Sequence, residues 1–420
     1  MSTALVVGNM IGSGIFLLPS TLAAYGGISL VGWFFSALGA FLLATVFSRL
    51  SKLIPRVGGP YAYTKAGLGE FAAFLVAWGY WVSIWCGNAA ITVAFVSYMS
   101  VFFPILATHN VAAVMLGLAT IWGLSWVNSQ GVKEAGKLQL ITTVLKLSPI
   151  VLVAICGVFF IQWEYFFPFN LSGESSFAAI ATTMTLTLWA FAGLESATIP
   201  AESVENPSKT IPRATIIGTS IATIVYIGSS MAIMGMIDPE ILQHSRAPFA
   251  DAAALMWGEQ ARLWVAAGAA IATFGALNGW ILMQAQVPLA IAKDNLFPSI
   301  FGKVNRKGAP VAGIIISSLL VSILMSMNFN KNLVEQFQFM ILLATLTVLV
   351  PYLFSAAAYV AILLEKKYAK GRKPWSSIVI AGLAFGYSLW AVAGSGEETV
   401  YWGFILLMAG IPFFVWMKGR

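Results

Sequence analysis

The sequence predicts an all-α membrane protein with twelve transmembrane helices, and three observations support this prediction. Apolar residues make up 59% of the 420 positions and charged residues only 9%, which lies outside the range of soluble globular domains. The apolar residues fall into twelve segments, most of which reach the ~20 residues that a helix needs to span a bilayer. Two of these segments are interrupted by glycines near their middle.

The twelve apolar segments follow one another with short polar connections. We expect one domain over 1–420, in which 3–162 and 177–363 form two five-helix repeats and 375–417 adds two helices. The segments are roughly 3–24, 27–49, 71–101, 111–128, 136–162, 177–201, 213–236, 259–292, 309–328, 333–363, 375–395 and 399–417.

The basic residues predict the orientation of these segments. With the N-terminus in the cytoplasm, the inner connections hold nineteen Lys and Arg and the outer ones hold three, Arg246, Arg262 and Lys331. Short cytoplasmic loops are enriched in Lys and Arg, so both termini are predicted to be cytoplasmic. The first twenty residues carry no Lys or Arg, which argues against a signal peptide and predicts that the first segment is retained as a span.

The composition also argues against several classes of function. Cys86 and Cys156 lie in apolar segments, whereas His109 and His244 fall in polar connections, so neither a metal cluster nor a Ser/His/Asp triad is expected in the membrane. The net charge of +7 is scattered over short loops rather than collected in a basic patch, which argues against nucleic-acid binding. We therefore expect no enzyme, no cofactor and no metal site.

The two interrupted segments predict a binding site. They are the stretches 8–16 (GNMIGSGIF) and 188–196 (LWAFAGLES). Non-helical backbone survives at membrane depth only where it is buried in protein or lines a wet cavity. Broken helices at corresponding places in two halves of a chain are typical of secondary transporters with a substrate site at the midplane. Ser13 to Asn88 is 88 − 13 = 75 residues and Gly193 to Trp280 is 280 − 193 = 87, a similar pitch that predicts two inverted repeats.

Asn88, Lys146 and Glu195 are polar residues inside apolar segments, where such groups are costly and often functional. Asn88 is expected to bond either a neighbouring helix or a polar ligand. Lys146 either faces the bundle interior or extends to the interface. Glu195 is the one of the sixteen acidic residues that falls well inside a span. Lys146 and Glu195 are both candidates for proton exchange, because burial shifts the protonation of amines and carboxyls.

Five motifs, in this order, make the chain resemble the amino acid, polyamine and organocation (APC) transporters, and among them the bacterial arginine/agmatine and lysine/cadaverine antiporters. The resemblance covers essentially the whole chain and implies the LeuT-like 5+5 inverted repeat with discontinuous helices 1 and 6. The motifs are GNMIGSGIFLLP (8–19), GGPYAY (58–63), LWAFAGLESA (188–197), ENPSKTIP (205–212) and DNLFP (294–298).

The resemblance also implies roles for particular residues. Backbone amides at the start of a half-helix would receive the substrate carboxylate, carbonyls would receive its α-ammonium, and aromatic and polar side chains would surround its side chain. The residues in these roles are Ser13 and Gly14 for the carboxylate, Met10, Trp189 and Ala192 for the ammonium, Trp280 and Asn88 for the side chain, Trp189 as the outer lid, and Tyr80, Glu195 and Tyr352 as the inner gate. Ser83, Ile84 and Ala344 depart from the arginine/agmatine type and put the identity of the substrate side chain in question.

The sequence therefore predicts an amino acid transporter of the bacterial inner membrane that works by alternating access. The leading hypothesis is an antiporter that exchanges a cationic, arginine-like amino acid for its decarboxylated, agmatine-like amine. The alternative is a proton-coupled permease for neutral amino acids, in which Lys146 carries the proton and stands in place of a sodium ion. A channel and a membrane scaffold are weaker alternatives. The expected partners are the small-molecule substrate, protons, the lipid bilayer and a second copy in a homodimer.

Overall fold

A computed structural model describes residues 6–7, 10–12, 14–54, 58–131, 150–195, 206–328, 330–365 and 375–419. The regular secondary structure of these residues is helical, and no strand occurs among them. Turns and short connections join the helices. This agrees with the all-α class predicted from composition. Two residues singled out in the sequence, Ser13 and Lys146, lie outside the described residues.

The helices of the described residues are numbered here in chain order, leaving out single turns. They are α1 (Gly14–Ala23), α2 (Ile28–Leu53), α3 (Pro60–Leu68), α4 (Glu70–Met99), α5 (Asn110–Ser129), α6 (Ile150–Phe160), α7 (Ser176–Leu188), α8 (Pro207–Met236), α9 (Pro248–Trp257), α10 (Glu259–Lys293), α11 (Val311–Met327), α12 (Leu333–Leu364), α13 (Trp375–Ala393), α14 (Glu397–Met408) and α15 (Gly410–Lys418). Single helical turns occur at Ile105–Thr108, Trp163–Phe166, Trp189–Phe191, Pro239–Leu242 and Ser299–Gly302.

Eight helices of the described part of the chain are long and apolar enough to cross a membrane, judged by length and composition. They are α2, α4, α5, α8, α10, α12, α13 and the continuous stretch of α14 and α15. Four shorter apolar helices, α1, α6, α7 and α11, also fall on predicted apolar segments. The chain is thus a multi-pass membrane protein, whereas the total of twelve spans stays a prediction.

One predicted connection and one predicted segment differ in the structure. The connection between the segments 27–49 and 71–101 contains two prolines and two glycines at 55–60, which are typical of a loop, but α3 begins at Pro60. The fixed φ of proline suits the first position of a helix, where its missing N–H would have no helical partner anyway. The last apolar segment, expected as one helix, is divided at Ala409 into α14 and α15.

Helix α4 lies at the centre of the fold. Its membrane-spanning window is 89% buried, more than that of any other long helix of the described residues. It packs along α10 on one side and α12 on another, and α2 packs against α7 and α8. A helix that is apolar on all sides is stable only when other helices surround it or lipid covers it. The residues of α4 therefore form the inner wall of any cavity in the middle of the bundle.

Close helix packing around Gly39 gives a prediction about stability. A β-carbon on this α2 residue would lie 2.0 Å from Cζ of the buried Tyr387 in α13. Gly39→Ala should lower the free energy of unfolding by about 1–3 kcal/mol, because the added carbon overpacks the interface. Gly386→Ala is the matched control, since nothing lies within 4 Å of its β-carbon. That control should gain up to about 1 kcal/mol of helix propensity.

Thermal unfolding of both variants in lipid nanodiscs measures the difference. We expect Gly39→Ala to melt below the wild-type protein and Gly386→Ala to melt at or above it. Equal melting temperatures for the two variants would contradict the close packing of α2 against α13.

Candidate functional site

The first break in the helical hydrogen-bond pattern lies between Met10 and Gly14. The Ile11 N–H still donates to the Val7 carbonyl at 2.8 Å, as in an α-helix, but the Gly12 N–H donates to the Met10 carbonyl only two residues back, at 2.8 Å. The helical pattern resumes at Gly14, where α1 begins. The first N–H groups of α1 have no helical partners and are directed toward the break.

The second break follows α7. This helix ends at Leu188 and tightens into the turn Trp189–Phe191, in which the Ala192 N–H donates to the Trp189 carbonyl at 3.0 Å. Gly193 has a φ of 102°, which residues with a β-carbon rarely adopt, so this glycine sets the direction in which the chain leaves the helix. Residues 196–205 lie outside the described residues. Non-helical backbone thus occurs at both places that the sequence indicated.

The two breaks are in contact through Trp189. A β-carbon on Gly14 would lie 3.0 Å from Cδ1 of this indole, and one on Gly87 of α4 would lie 2.4 Å from its Cη2. Trp189 is 9% exposed, so its ring is held between α1, α4 and its own turn. Only glycine leaves enough room for the indole at Gly87, and the side chain therefore has a defined place at the junction of three elements.

Two small adjoining cavities surround this indole. Each has room for about one water molecule. Both are lined by Ile91, Trp189, Ala192 and Trp280. The first is lined in addition by Tyr80, Ser83, Ile84, Gly87, Glu195 and Val348, and the second by Met10, Gly12 and Gly14. A ligand the size of an amino acid fits here only if the side chains between the two cavities move apart.

Glu195 gives the site its charge. Its side chain is fully buried, and its two carboxylate oxygens accept hydrogen bonds from the hydroxyls of Tyr80 in α4 (2.8 Å) and Tyr352 in α12 (2.9 Å). The three residues predicted as an inner gate are thus brought together. Among the described residues that line the two cavities, Glu195 is the one acid and none is basic. An ionised Glu195 carboxylate together with the two indole faces favours a cation.

The other predicted residues are divided between the cavity walls and the core. Ser83 and Ile84 line the first cavity, and the Ser83 hydroxyl donates to the Tyr80 carbonyl at 2.7 Å. Asn88 and Ala344 are fully buried but line neither cavity. The Asn88 amide donates to Gln284 of α10 at 2.7 Å, so the bond to a neighbouring helix, one of the two expected alternatives, is present.

Some of the wall was missed by the sequence analysis. Gly87, Ile91 and Val348 line the first cavity but were not proposed. Gly87 and Ile91 could have been found, because they continue the three- to four-residue spacing of Tyr80, Ser83 and Ile84 along one face of α4. The same spacing marked Val348, which lies four residues from both Ala344 and Tyr352 in α12.

Two of the sequence motifs meet outside the spans. Asp294, directly after α10, lies 2.7 Å from the Lys65 ammonium and accepts a 2.6 Å hydrogen bond from the Tyr61 hydroxyl, both in α3. The bonds from Lys65 and Tyr61 hold the pKa of Asp294 below its ordinary value of 3.8. Burial and the bond to Asp294 raise the pKa of Tyr61, so this phenol remains a donor. The cluster ties α3 to the end of α10.

This cluster predicts a pH-dependent stability. Because folding lowers the pKa of Asp294, its contribution is complete above pH 3.8 and disappears as the pH falls through the lower, folded-state pKa. Asp294→Asn should lower the melting temperature by about 1 °C or less at pH 7, as expected for about 0.2–1 kcal/mol in a half-exposed pair of a chain this long. The variant and the wild-type protein should converge as the pH falls through this lower pKa. The exposed Glu164→Gln is the matched control at pH 7 and should melt like the wild-type protein. A difference in melting temperature between Asp294→Asn and the wild-type protein that stays constant at all pH values would contradict the role of the carboxylate.

The comparisons with known proteins agree with this architecture. Residues 1–414 match the model of the amino acid permease family. The chain belongs to this family. The APC resemblance drawn from the motifs is therefore confirmed, and the chain is a multi-pass bacterial membrane protein.

Three relatives illustrate the range of the family. The putrescine transporter PotE of Haemophilus influenzae is 34% identical over 97% of this chain and 94% of its own length. The cadaverine/lysine antiporter of Escherichia coli is 38% identical over 77% of this chain and 72% of its own length. The arginine/ornithine antiporter of Pseudomonas aeruginosa is 31% identical over 99% and 89%.

Proposed function

We propose that this permease is a secondary active antiporter that exchanges a cationic amino acid for an amine by alternating access. The observation that carries the proposal is the composition of the cavity wall. Glu195 and the indoles of Trp189 and Trp280 line one cavity, and none of the described residues that line it is basic. A buried carboxylate and two aromatic faces stabilise a cation and disfavour an anion.

The relatives support a broader substrate class than the arginine/agmatine pair alone. Their names specify putrescine, cadaverine and lysine, and arginine and ornithine. Each of these compounds carries two cationic groups separated by a short chain of carbons. We therefore propose lysine, ornithine or arginine as the amino acid and a diamine or agmatine as the exchanged amine. No covalent chemistry is part of this function.

The roles of the wall residues follow from the chemistry of such a substrate. The free N–H groups at the start of α1, from Gly14, would receive the carboxylate of the amino acid. Carbonyls near Met10, Trp189 and Ala192 would receive the α-ammonium, and Trp280 would hold the side-chain cation for about 0.5–2 kcal/mol. Trp189 would close the site from outside. The Tyr80–Glu195–Tyr352 cluster would close it from inside.

Helix pairing supports the proposed inverted repeats. If the spans are numbered from the predicted segments, α2 and α8 are spans 2 and 7, α4 and α10 are spans 3 and 8, and α5 and α11 are spans 4 and 9. The two helices of each pair contact one another. A pseudo-two-fold axis in the membrane plane brings equivalent helices of two repeats together in this way.

Transport by purified protein in liposomes tests the proposed function. We expect uptake of labelled lysine or putrescine only when an unlabelled cationic amino acid or diamine is present inside. Uptake of a neutral amino acid that needs no internal substrate and stops when the proton gradient is collapsed would instead support the permease alternative. That alternative depends on Lys146, which lies outside the described residues.

A further inference from the structure

A chain of buried polar side chains runs from Asn88 behind the cavity wall. The Asn88 amide nitrogen donates to Oε1 of Gln284 at 2.7 Å, and Nε2 of Gln284 donates to the Ser318 hydroxyl at 2.9 Å. The Ser318 hydroxyl is 2.7 Å from that of Ser125. These four residues come from α4, α10, α11 and α5, and each is at most 4% exposed. We call them the Gln284 relay.

The relay leaves one atom of Asn88 without a partner. The amide nitrogen of Gln284 donates to Ser318, so the amide oxygen of Gln284 faces Asn88. Asn88 bonds this oxygen with its own amide nitrogen. The Asn88 oxygen then has no hydrogen-bond partner among the described residues, although it is completely buried. A buried acceptor without a partner costs about 1–3 kcal/mol, so an arrangement that leaves one calls for an explanation.

The position of Asn88 supplies this explanation. Asn88 follows Ile84 by four residues and precedes Ile91 by three. It is therefore a neighbour of both cavity-lining residues on the surface of α4. Gln284 likewise follows Trp280, which lines both cavities, by one turn of α10. The relay is thus directly behind the two walls that must separate to admit a substrate.

We propose that Gln284 is a positioning residue, which turns Asn88 so that its carboxamide oxygen is the acceptor for one ammonium group of a doubly cationic substrate. This inference rests on the proposed exchange of cationic amino acids and diamines. Gln284 does not touch the substrate. It acts by holding the donor side of Asn88 away from the site, where an N–H group would repel an ammonium.

Binding of matched ligands to protein in lipid nanodiscs, followed by calorimetry, tests the proposal. The ligand pairs are putrescine with butylamine and lysine with norleucine, in which the second compound lacks one ammonium. The variants are Gln284→Met, which can neither accept from nor donate to its neighbours, and Gln284→Glu, whose carboxyl accepts the Asn88 N–H in either protonation state. Ser322→Ala is the control, because its hydroxyl bonds the Ser318 backbone and not the relay side chains.

We expect Gln284→Met to raise the Kd of the doubly cationic ligand at least about tenfold and that of its partner by less than about twofold. Gln284→Glu should restore the wild-type Kd or tighten it, and Ser322→Ala should resemble the wild-type protein. Equal weakening of both ligands, or a Gln284→Glu variant as weak as Gln284→Met, would overturn the positioning role and leave the proposed function intact.

Two other outcomes are also decisive. If the wild-type protein binds neither putrescine nor lysine, the proposed function fails and this inference fails with it. If Gln284→Met does not fold, Ser318→Ala replaces it. Loss of this hydroxyl frees the Gln284 amide to turn, so the doubly cationic ligand should again weaken more than its partner, and parallel weakening would count against the proposal.

Discussion

Replacement of Glu195 with Gln is expected to reduce the exchange of a cationic substrate by about a hundredfold or more. The carboxylate is completely buried and is the one charged side chain among the described residues that line the cavities. A substrate ammonium bound beside this carboxylate would form a buried ion pair, and removing one partner of such a pair costs about 3–5 kcal/mol, because the other charge is left without compensation. Each 1.4 kcal/mol corresponds to about a factor of ten, so the expected loss is two to three powers of ten.

Counterflow of labelled lysine or putrescine in liposomes, measured over a range of pH, checks this expectation. The exposed Glu365→Gln, at the end of α12, is the matched control and should transport like the wild-type protein. The pH profile is a second readout, because a carboxyl exchanges protons and an amide does not. Wild-type rates in Glu195→Gln would contradict the charge argument. A reduced rate with an unchanged pH profile would remove Glu195 from proton coupling but not from substrate binding.

The helices were largely predictable because their signal is local. Long apolar runs fixed α4, α10 and α12 to within a few residues, and glycine-rich interruptions indicated where the chain leaves the helix near Gly12 and Gly193. Both signals depend on the backbone, which must satisfy its own hydrogen bonds in the bilayer. The start of α3 was missed, because a proline that ends one helix also suits the first turn of another.

Side-chain partners were less predictable because they depend on packing between distant helices. The sequence marked Asn88 as a costly polar group, yet no local pattern pairs it with Gln284, a second carboxamide in an apolar segment 196 residues later. Similarly, Ala344 was proposed for the cavity but lies in the core, while Val348 one turn later lines the wall. A small rotation of α12 decides which of its residues line the cavity. Hydrophobic periodicity does not define the position of a helix to within one turn.

Replacement of Trp280 with Leu is expected to weaken the binding of cationic substrates much more than the binding of neutral ones. The indole lines both cavities, and a cation held over its face gains about 0.5–2 kcal/mol, more when the site is dry. Leucine keeps an apolar wall but has no ring quadrupole to attract the charge. The Kd of lysine or putrescine should therefore rise about tenfold, whereas that of norleucine, which has no side-chain cation, should rise less than about threefold.

Competition binding of the charged and neutral ligands to one preparation of the variant gives both ratios directly. Trp264→Leu, on the same helix α10 but 79% exposed, is the matched control for loss of an indole and should leave both affinities unchanged. Parallel weakening of charged and neutral ligands in Trp280→Leu would mean that the indole contributes shape alone. The selectivity for cations would then depend on Glu195, on the oxygen of Asn88 behind the wall and on the backbone carbonyls near Met10, Trp189 and Ala192.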